Sequence, residues 1–180
     1  MSAVLNKRKS DAEELVVKCT KQFPKCPVMS TLELRDLISG TDSSQKMATV
    51  VVDVRTKEER DVSMIPSAIA MDEFEELLKC DPNKYKETLI VPYCTVGYRS
   101  GKYATALVEK HGLKNVRNGE GIILWTHGET VLVKKEQGTV QIVKAVHTFG
   151  SAWDLAAEGY STIQFGTFSY LCKGISALFA

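Results

Sequence analysis

The chain has 180 residues, of which 44% are hydrophobic and 25% charged, and a formal net charge of +1. That length suits one domain with modest extensions, whose core needs neither disulfides nor metal. The near-neutral balance excludes a global field for nucleic acid or an anionic membrane, and no apolar run reaches the ~18 residues that cross a bilayer. Cysteines stand at 19, 26, 80, 94 and 172, an odd and irregular set without a C-x-x-C pair. This argues against a zinc site and for free thiols in a reducing compartment. The expected location is therefore cytoplasmic; the acid-free basic start with Lys7, Arg8 and Lys9 also fits a short mitochondrial targeting segment.

Residues 1–27 read as an N-terminal extension, partly helical, in which 11–23 carry Leu15, Val16 and Cys19 on one side and Pro24 and Pro27 end the helix. Ser30-Thr31-Leu32-Glu33 is a capping box for a second helix with Leu34, Leu37 and Ile38 as its apolar face and Gly40 as its stop. The β-branched run 48–54 suits a strand buried on both faces of a parallel sheet. A helical turn is expected at 57–60, a short strand at 68–70 and a helix at 72–80 with Phe74, Leu77 and Leu78 inward. Residues 89–93 predict a second buried strand, in which Pro92 removes a ladder donor and predicts a bulge.

A helix follows over 98–111 with Gly112 as its stop, then a brief strand at 115–117 and a helix opening at Ile122. Strands alternating with helices predict an α/β fold with a central parallel sheet, assigned to a domain spanning 28–150. Residues 130–133 and 139–143 suggest a hairpin around Gln137-Gly138. Residues 151–180 read as a C-terminal helical extension packed on the domain, because Phe168, Leu171, Cys172, Ile175, Leu178 and Phe179 fall at helical spacing.

Cys94 stands where the second strand ends and a helix begins, the position at which parallel α/β sheets bind ligands. Gly97 permits a tight turn, and a loop wound over a helix start turns backbone N–H groups inward as an anion cradle. Arg99 adds a permanent positive charge. Each feature favours thiolate over thiol and would hold a negative sulfur.

Cys94-Thr95-Val96-Gly97-Tyr98-Arg99-Ser100 resembles the CxxGxRS active loop of single-domain rhodaneses. Val51-Val52-Asp53-Val54-Arg55, followed by Glu58 or Glu59, resembles the family's hydrophobic-Asp-Val-Arg element. Met64-Ile65-Pro66-Ser67-Ala68-Ile69 resembles its HIPGA element with Met and Ser replacing His and Gly. Asn118-Gly119 through Trp125 resembles its GG…W element, so that the likeness covers roughly 30–133.

The resemblance implies a rhodanese-like fold with helices on both faces of the sheet and a sulfurtransferase that carries sulfur as a persulfide on Cys94. It implies that Thr95, Val96, Gly97, Tyr98, Arg99 and Ser100 bind the sulfur, that Arg99 orients an anionic donor, and that Asp53 and Arg55 order the structure around the loop. No cofactor or metal is implied. The partners implied are a small sulfur donor and acceptor, or a persulfide-carrying protein, and no nucleic acid. Arg99 comes five residues after Cys94, one fewer than in rhodanese-fold phosphatases and arsenate reductases, whose wider loop takes a tetrahedral oxyanion. Thr95 stands where many thiosulfate sulfurtransferases carry a basic residue, so the donor is left open. A rhodanese-like interaction or regulatory module with little turnover is the alternative, and a phosphatase or arsenate reductase is a third reading, against which the loop length argues.

Among the histidines, His111 and His127 read as helix-end residues and His147 as a hydrogen-bonded core or edge residue. Cys19, Cys26, Cys80 and Cys172 have no setting comparable to that of Cys94.

Overall fold

The β-branched run around Val51 forms strand β2 (Thr49–Asp53), which pairs in parallel with β4 (Leu89–Tyr93) along its whole length and with β3 (Ile69–Ala70) on its other edge. The computed structural model describes residues 2–40 and 47–164. Next to β4, a bridge joins Ile90 to Val116, and the chain continues into β5 (Asn118–Gly119), which pairs in parallel with β1 (Val28–Met29). Through that bridge the strands follow one another in the order β3-β2-β4-β5-β1.

Successive side chains on a strand point to opposite faces, and here each face has its own apolar layer. Val51, Val91 and Tyr93 pack with Ala12, Val16 and Cys19 of α1 (Ser2–Thr20), Leu34 of α2 (Thr31–Ser39) and Trp125 of α6 (Ile122–Thr126). Val52, Val54 and Ile90 pack with Phe74 and Leu78 of α4 (Met71–Cys80) and with Ala104 and Leu107 of α5 (Tyr98–His111). Helices thus cover both faces of a parallel sheet, as expected for strands that are apolar on both sides.

Local signals account for several boundaries. Ser30 caps α2 reciprocally with Glu33, and Gly40 ends it in the left-handed conformation. Thr56 and Glu59 form a second capping box at the start of α3 (Lys57–Val62). β6 (Leu132–Glu136) and β7 (Thr139–Val143) form the expected hairpin. Its two central residues, Gln137 and Gly138, both have positive φ, the twist that a two-residue hairpin turn requires.

Several expectations change. Leu77, expected inward on α4, is exposed, and the brief strand expected at 115–117 is a single bridge at Val116 ahead of β5. The first helix runs from Ser2 to Thr20 rather than over 11–23, and Ala12, Val16 and Cys19 pack from it into the core. No bulge forms at Pro92, which keeps register opposite Val52. Its missing donor faces the segment 115–119, where the bridge to β4 stops at Ile90, so regular pairing with β2 is undisturbed.

The described part of the C-terminal extension is a turn and a strand, not a helix. A short 3-10 turn at Ser151–Trp153 is followed by β9 (Ser161–Ile163), parallel to β8 (Ala145–His147). Ala156 and Val146 enter the core, and Tyr160 Oη donates to Thr130 O at 2.9 Å. The long-range pairing of three-residue strands leaves no periodic signal in sequence. The apolar stripe from Phe168 to Phe179 lies outside the described residues. No helix among the described residues is long and apolar enough to cross a membrane.

Candidate active site

Strand β4 delivers Cys94 to the carboxyl edge of the sheet, and α5 begins four residues later. Gly97 is the N-cap of α5 in the left-handed conformation, φ 84°, where an L side chain is strained. Asn118 Nδ2 donates to Gly97 O at 2.9 Å and holds the turn from β5. The first backbone N–H groups of α6 grip the other end: Ile122 N donates to Cys94 O at 2.9 Å and Ile123 N to Thr95 O at 3.3 Å. Gly121 makes this approach possible, since a Cβ there would lie 2.5 Å from Thr95 O.

Within the loop, Ser100 Oγ donates to Cys94 Sγ at 3.5 Å from the first turn of α5. The loop lies deep: Cys94 is 1% exposed, and Thr95, Val96, Gly97 and Ser100 are buried, with Tyr98 and Arg99 half-buried. Cys19 of α1 lies in the same field. Burial first, and the neighbouring Cys94 second, push its thiol up.

Arg99 was expected to offer free positive charge, but its charge is already paired. Its two terminal nitrogens donate to the Glu59 carboxylate at 2.7 and 2.8 Å, and Nη2 also donates to Thr95 Oγ1 at 3.1 Å. Glu59 accepts in addition from Thr56 N at 2.9 Å, and His147 Nδ1 stands 3.2 Å from its other oxygen. Burial alone would push the Glu59 carboxyl up; the Arg99 and His147 hydrogen bonds and the charges of Arg99 and Arg55 outweigh it and hold it well below the usual carboxylate range. The Phe149 ring lies 6.0 Å from the Arg99 guanidinium. Arg99 therefore ties the loop to α3 and β8 through Thr95 and Glu59.

Asp53 and Arg55 form a separate buried network at the end of β2. Arg55 Nε and Nη2 donate to Asp53 at 2.9 and 2.6 Å, and Nη2 donates to Ser63 O at 2.6 Å. Tyr93 Oη donates to Asp53 and accepts from Ile65 N. Burial and the Asp53 charge raise the Tyr93 phenol well above its ordinary value, which keeps it a donor. These bonds join the ends of β2 and β4 just before Cys94, in keeping with an ordering role.

Sequence reasoning offered Glu59 only as one of two acidic residues; the Thr56-x-x-Glu59 spacing is the capping-box signal that singles it out. Nothing local marks Tyr93, Asn118 or Gly121, whose partners are distant in sequence. His147 is a buried hydrogen-bonding histidine as expected, but its place beside Glu59 comes from the β8 contact with α3. His127 Nε2 lies 2.8 Å from Leu155 O, away from Cys94. Cys19 and Cys26 are buried and Cys80 exposed, while Cys172 lies outside the described residues.

A sequence model of the rhodanese-like domain matches residues 31–123. No curated protein matches the chain. Among solved structures, the rhodanese-like domain of an Anabaena protein superposes with a TM-score of 0.50 at 16% identity, over 61% of this chain and 80% of that one. A thiosulfate sulfurtransferase from Pseudomonas aeruginosa superposes with a TM-score of 0.52 at 18% identity, over 75% of this chain and 25% of that one. The chain thus spans only a quarter of the Pseudomonas enzyme's length, and at these identities the likeness is one of fold.

Proposed function

Because the chain belongs to the rhodanese-like domain family, we propose that it is a sulfurtransferase that carries sulfane sulfur as a persulfide on Cys94. The observation that carries this reading is the position of Cys94 Sγ at the carboxyl end of β4, 3.5 Å from Ser100 Oγ in the first turn of α5. A helix start offers backbone donors and a positive dipole end to a negative sulfur.

In the first half-reaction the Cys94 thiolate attacks the outer sulfur of the donor. The bond that holds this sulfur to the donor breaks, S–S in thiosulfate or a protein persulfide and C–S in mercaptopyruvate, and the leaving group departs with the bonding pair as sulfite, a thiolate or the pyruvate enolate respectively. In the second, an acceptor thiolate or cyanide attacks the terminal sulfur, and Cys94 leaves as thiolate. Ser100 Oγ donates to the Cys94 sulfur, and the turn at Gly97 shapes the cradle around the transferred atom. Thr95, Val96, Tyr98 and Arg99 complete that loop, with Arg99 acting as a tether rather than as a free anion receptor. No cofactor takes part. The partners proposed are a small sulfur donor and acceptor or a persulfide-carrying protein, and the free thiols favour a cytoplasmic setting.

The test is intact-mass measurement of wild type and Cys94→Ser after exposure to thiosulfate, mercaptopyruvate or a protein persulfide. Gain of one sulfur atom by wild type alone is the expected result; equal gain by the serine variant overturns the assignment. A second reading, a rhodanese-like interaction or regulatory module, draws on the burial of Cys94 and the pairing of Arg99. Failure of every donor to load wild type supports that reading instead.

A further inference from the structure

The chain that follows α1 runs along α5 in step with it. Thr20 lies against Gly97, Phe23 against Tyr98 and Gly101, and Cys26 Sγ lies 3.7 Å from Thr105 Oγ1. Lys25 Nζ meets Glu109 at 2.6 Å. These contacts lie on Gly97 and Tyr98 at the end of the loop and on the side of α5 that carries Gly101, Thr105 and Glu109.

Two glycines match this arm. A Cβ on Gly97 would lie 2.6 Å from Thr20 Cγ2, and one on Gly101 would lie 2.1 Å from the Phe23 ring. Gly97 also has the positive φ of the turn, but Gly101 sits inside α5, where glycine is among the weakest helix formers. What Gly101 provides is a seat: the Phe23 ring occupies the place of its missing methyl and meets Tyr98 edge-on, centroids 5.5 Å apart.

The arm lies outside the matched span 31–123. Its anchor and its tip differ. Ala12, Val16 and Cys19 of α1 are buried in the core, whereas Phe23 is only half-buried and its neighbours Gln22 and Pro24 are exposed. We propose that residues 20–26 form a gate over the Cys94 loop, with Phe23 as its latch in the seat made by Gly101 and Tyr98. Sulfur donors reach Cys94 when the latch swings out, so the latch governs which donors load and how fast. The inference rests on the sulfur-carrying reading for its meaning, but access to Cys94 is measured without it.

The experiment is timed alkylation with iodoacetamide followed by peptide mapping of each cysteine, on wild type, Phe23→Ala and Gly101→Ala. Loss of an edge-on aromatic contact raises the open fraction about tenfold, so Cys94 in Phe23→Ala should react about that much faster than in wild type. Cys26, carried on the gate against Thr105, should quicken with Cys94, whereas Cys19, packed in the core layer of α1, should stay protected. Gly101→Ala keeps Phe23 and improves α5 as a helix but fills the seat, and it should expose Cys94 in the same selective way. An unchanged Cys94 rate in both variants, or Cys94 and Cys19 rising together in both, overturns the gate. Selective exposure without sulfur loading by any donor keeps the gate and removes the sulfur-carrying reading. Loading of wild type without selective exposure does the reverse.

Discussion

Arg99 and Glu59, forty positions apart, meet through two parallel hydrogen bonds of 2.7 and 2.8 Å, and Glu59 has no exposed surface. The pair joins the loop after β4 to the first turn of α3, and His147 of β8 closes on the same carboxylate. A residue that reads as an anion receptor in sequence is thus part of the frame that holds the loop.

Breaking that pair from one side should unfold the protein more easily. Arg99→Ala leaves a buried carboxylate without its main partner, a situation that costs about 3–5 kcal/mol. Adding Glu59→Gln removes the stranded charge, so the double variant should be more stable than the sum of the two single losses. Urea unfolding of the four proteins measures this coupling. Strict additivity would show that the pair contributes nothing of its own.

The same carboxylate makes an acid-sensitive contribution to stability. The folded Glu59 carboxyl titrates well below its ordinary value of 4.5, so below that pH the unfolded chain binds a proton that the folded one does not. The stabilisation is therefore present above pH 4.5 and is lost as the pH falls toward the folded value. Stability of wild type should fall more steeply below that point than stability of Glu59→Gln, as read by unfolding midpoints across an acid series.

Tyr93→Phe removes the hydroxyl that donates to Asp53 and accepts from Ile65 N. Leaving buried groups without partners costs about 1–3 kcal/mol. The melting temperature should fall accordingly, while Cys94 in the remaining folded protein should still take up sulfur. Complete loss of uptake by a well-folded Tyr93→Phe protein would give Tyr93 a part in the chemistry.

Gly121→Ala tests the grip of α6 on the loop. Its φ of 108° is unfavourable for alanine, and the added methyl would press on the Thr95 carbonyl, where backbone must move. Strain of this kind costs of order 1–3 kcal/mol, and sulfur uptake by Cys94 should slow because the displaced carbonyl belongs to its neighbour. Unaltered stability and uptake would mean that the approach of Gly121 to Thr95 is dispensable.

Gly101→Ala, by contrast, is expected to act through the seat of Phe23 and not through the backbone, since Gly101 has helical conformation within α5. Retained folding with faster alkylation of Cys94 in peptide maps is the outcome that fits.

The elements legible in sequence were those with a local cause. The β-branched run at β2, the bounds of β4 and α5, both termini of α2 and the turn at Gln137-Gly138 follow from side-chain periodicity, caps and positive-φ residues. The nucleophile candidate was legible for the same reason: a cysteine, a glycine and a serine occur at fixed offsets between a strand and a helix. The resemblance carried by those offsets agrees with the family to which residues 31–123 belong.

The tertiary structure decided what those residues face. The charge of Arg99 is written in the sequence, but its neutralisation by Glu59 depends on α3 meeting the loop, and the position of His147 depends on β8 packing against α3. Pro92 predicts a lost donor, yet only the strand order shows that the loss falls where no ladder bond is made. The sequence marks Cys94 by its offsets from Gly97 and Arg99, whereas the contacts of Thr20 with Gly97 and of Phe23 with Tyr98 and Gly101 arise because α1 packs on the sheet and lays its end along α5. Short-range chemistry is carried by neighbouring residues in the chain, whereas burial and ion pairing arise between segments that folding alone brings together.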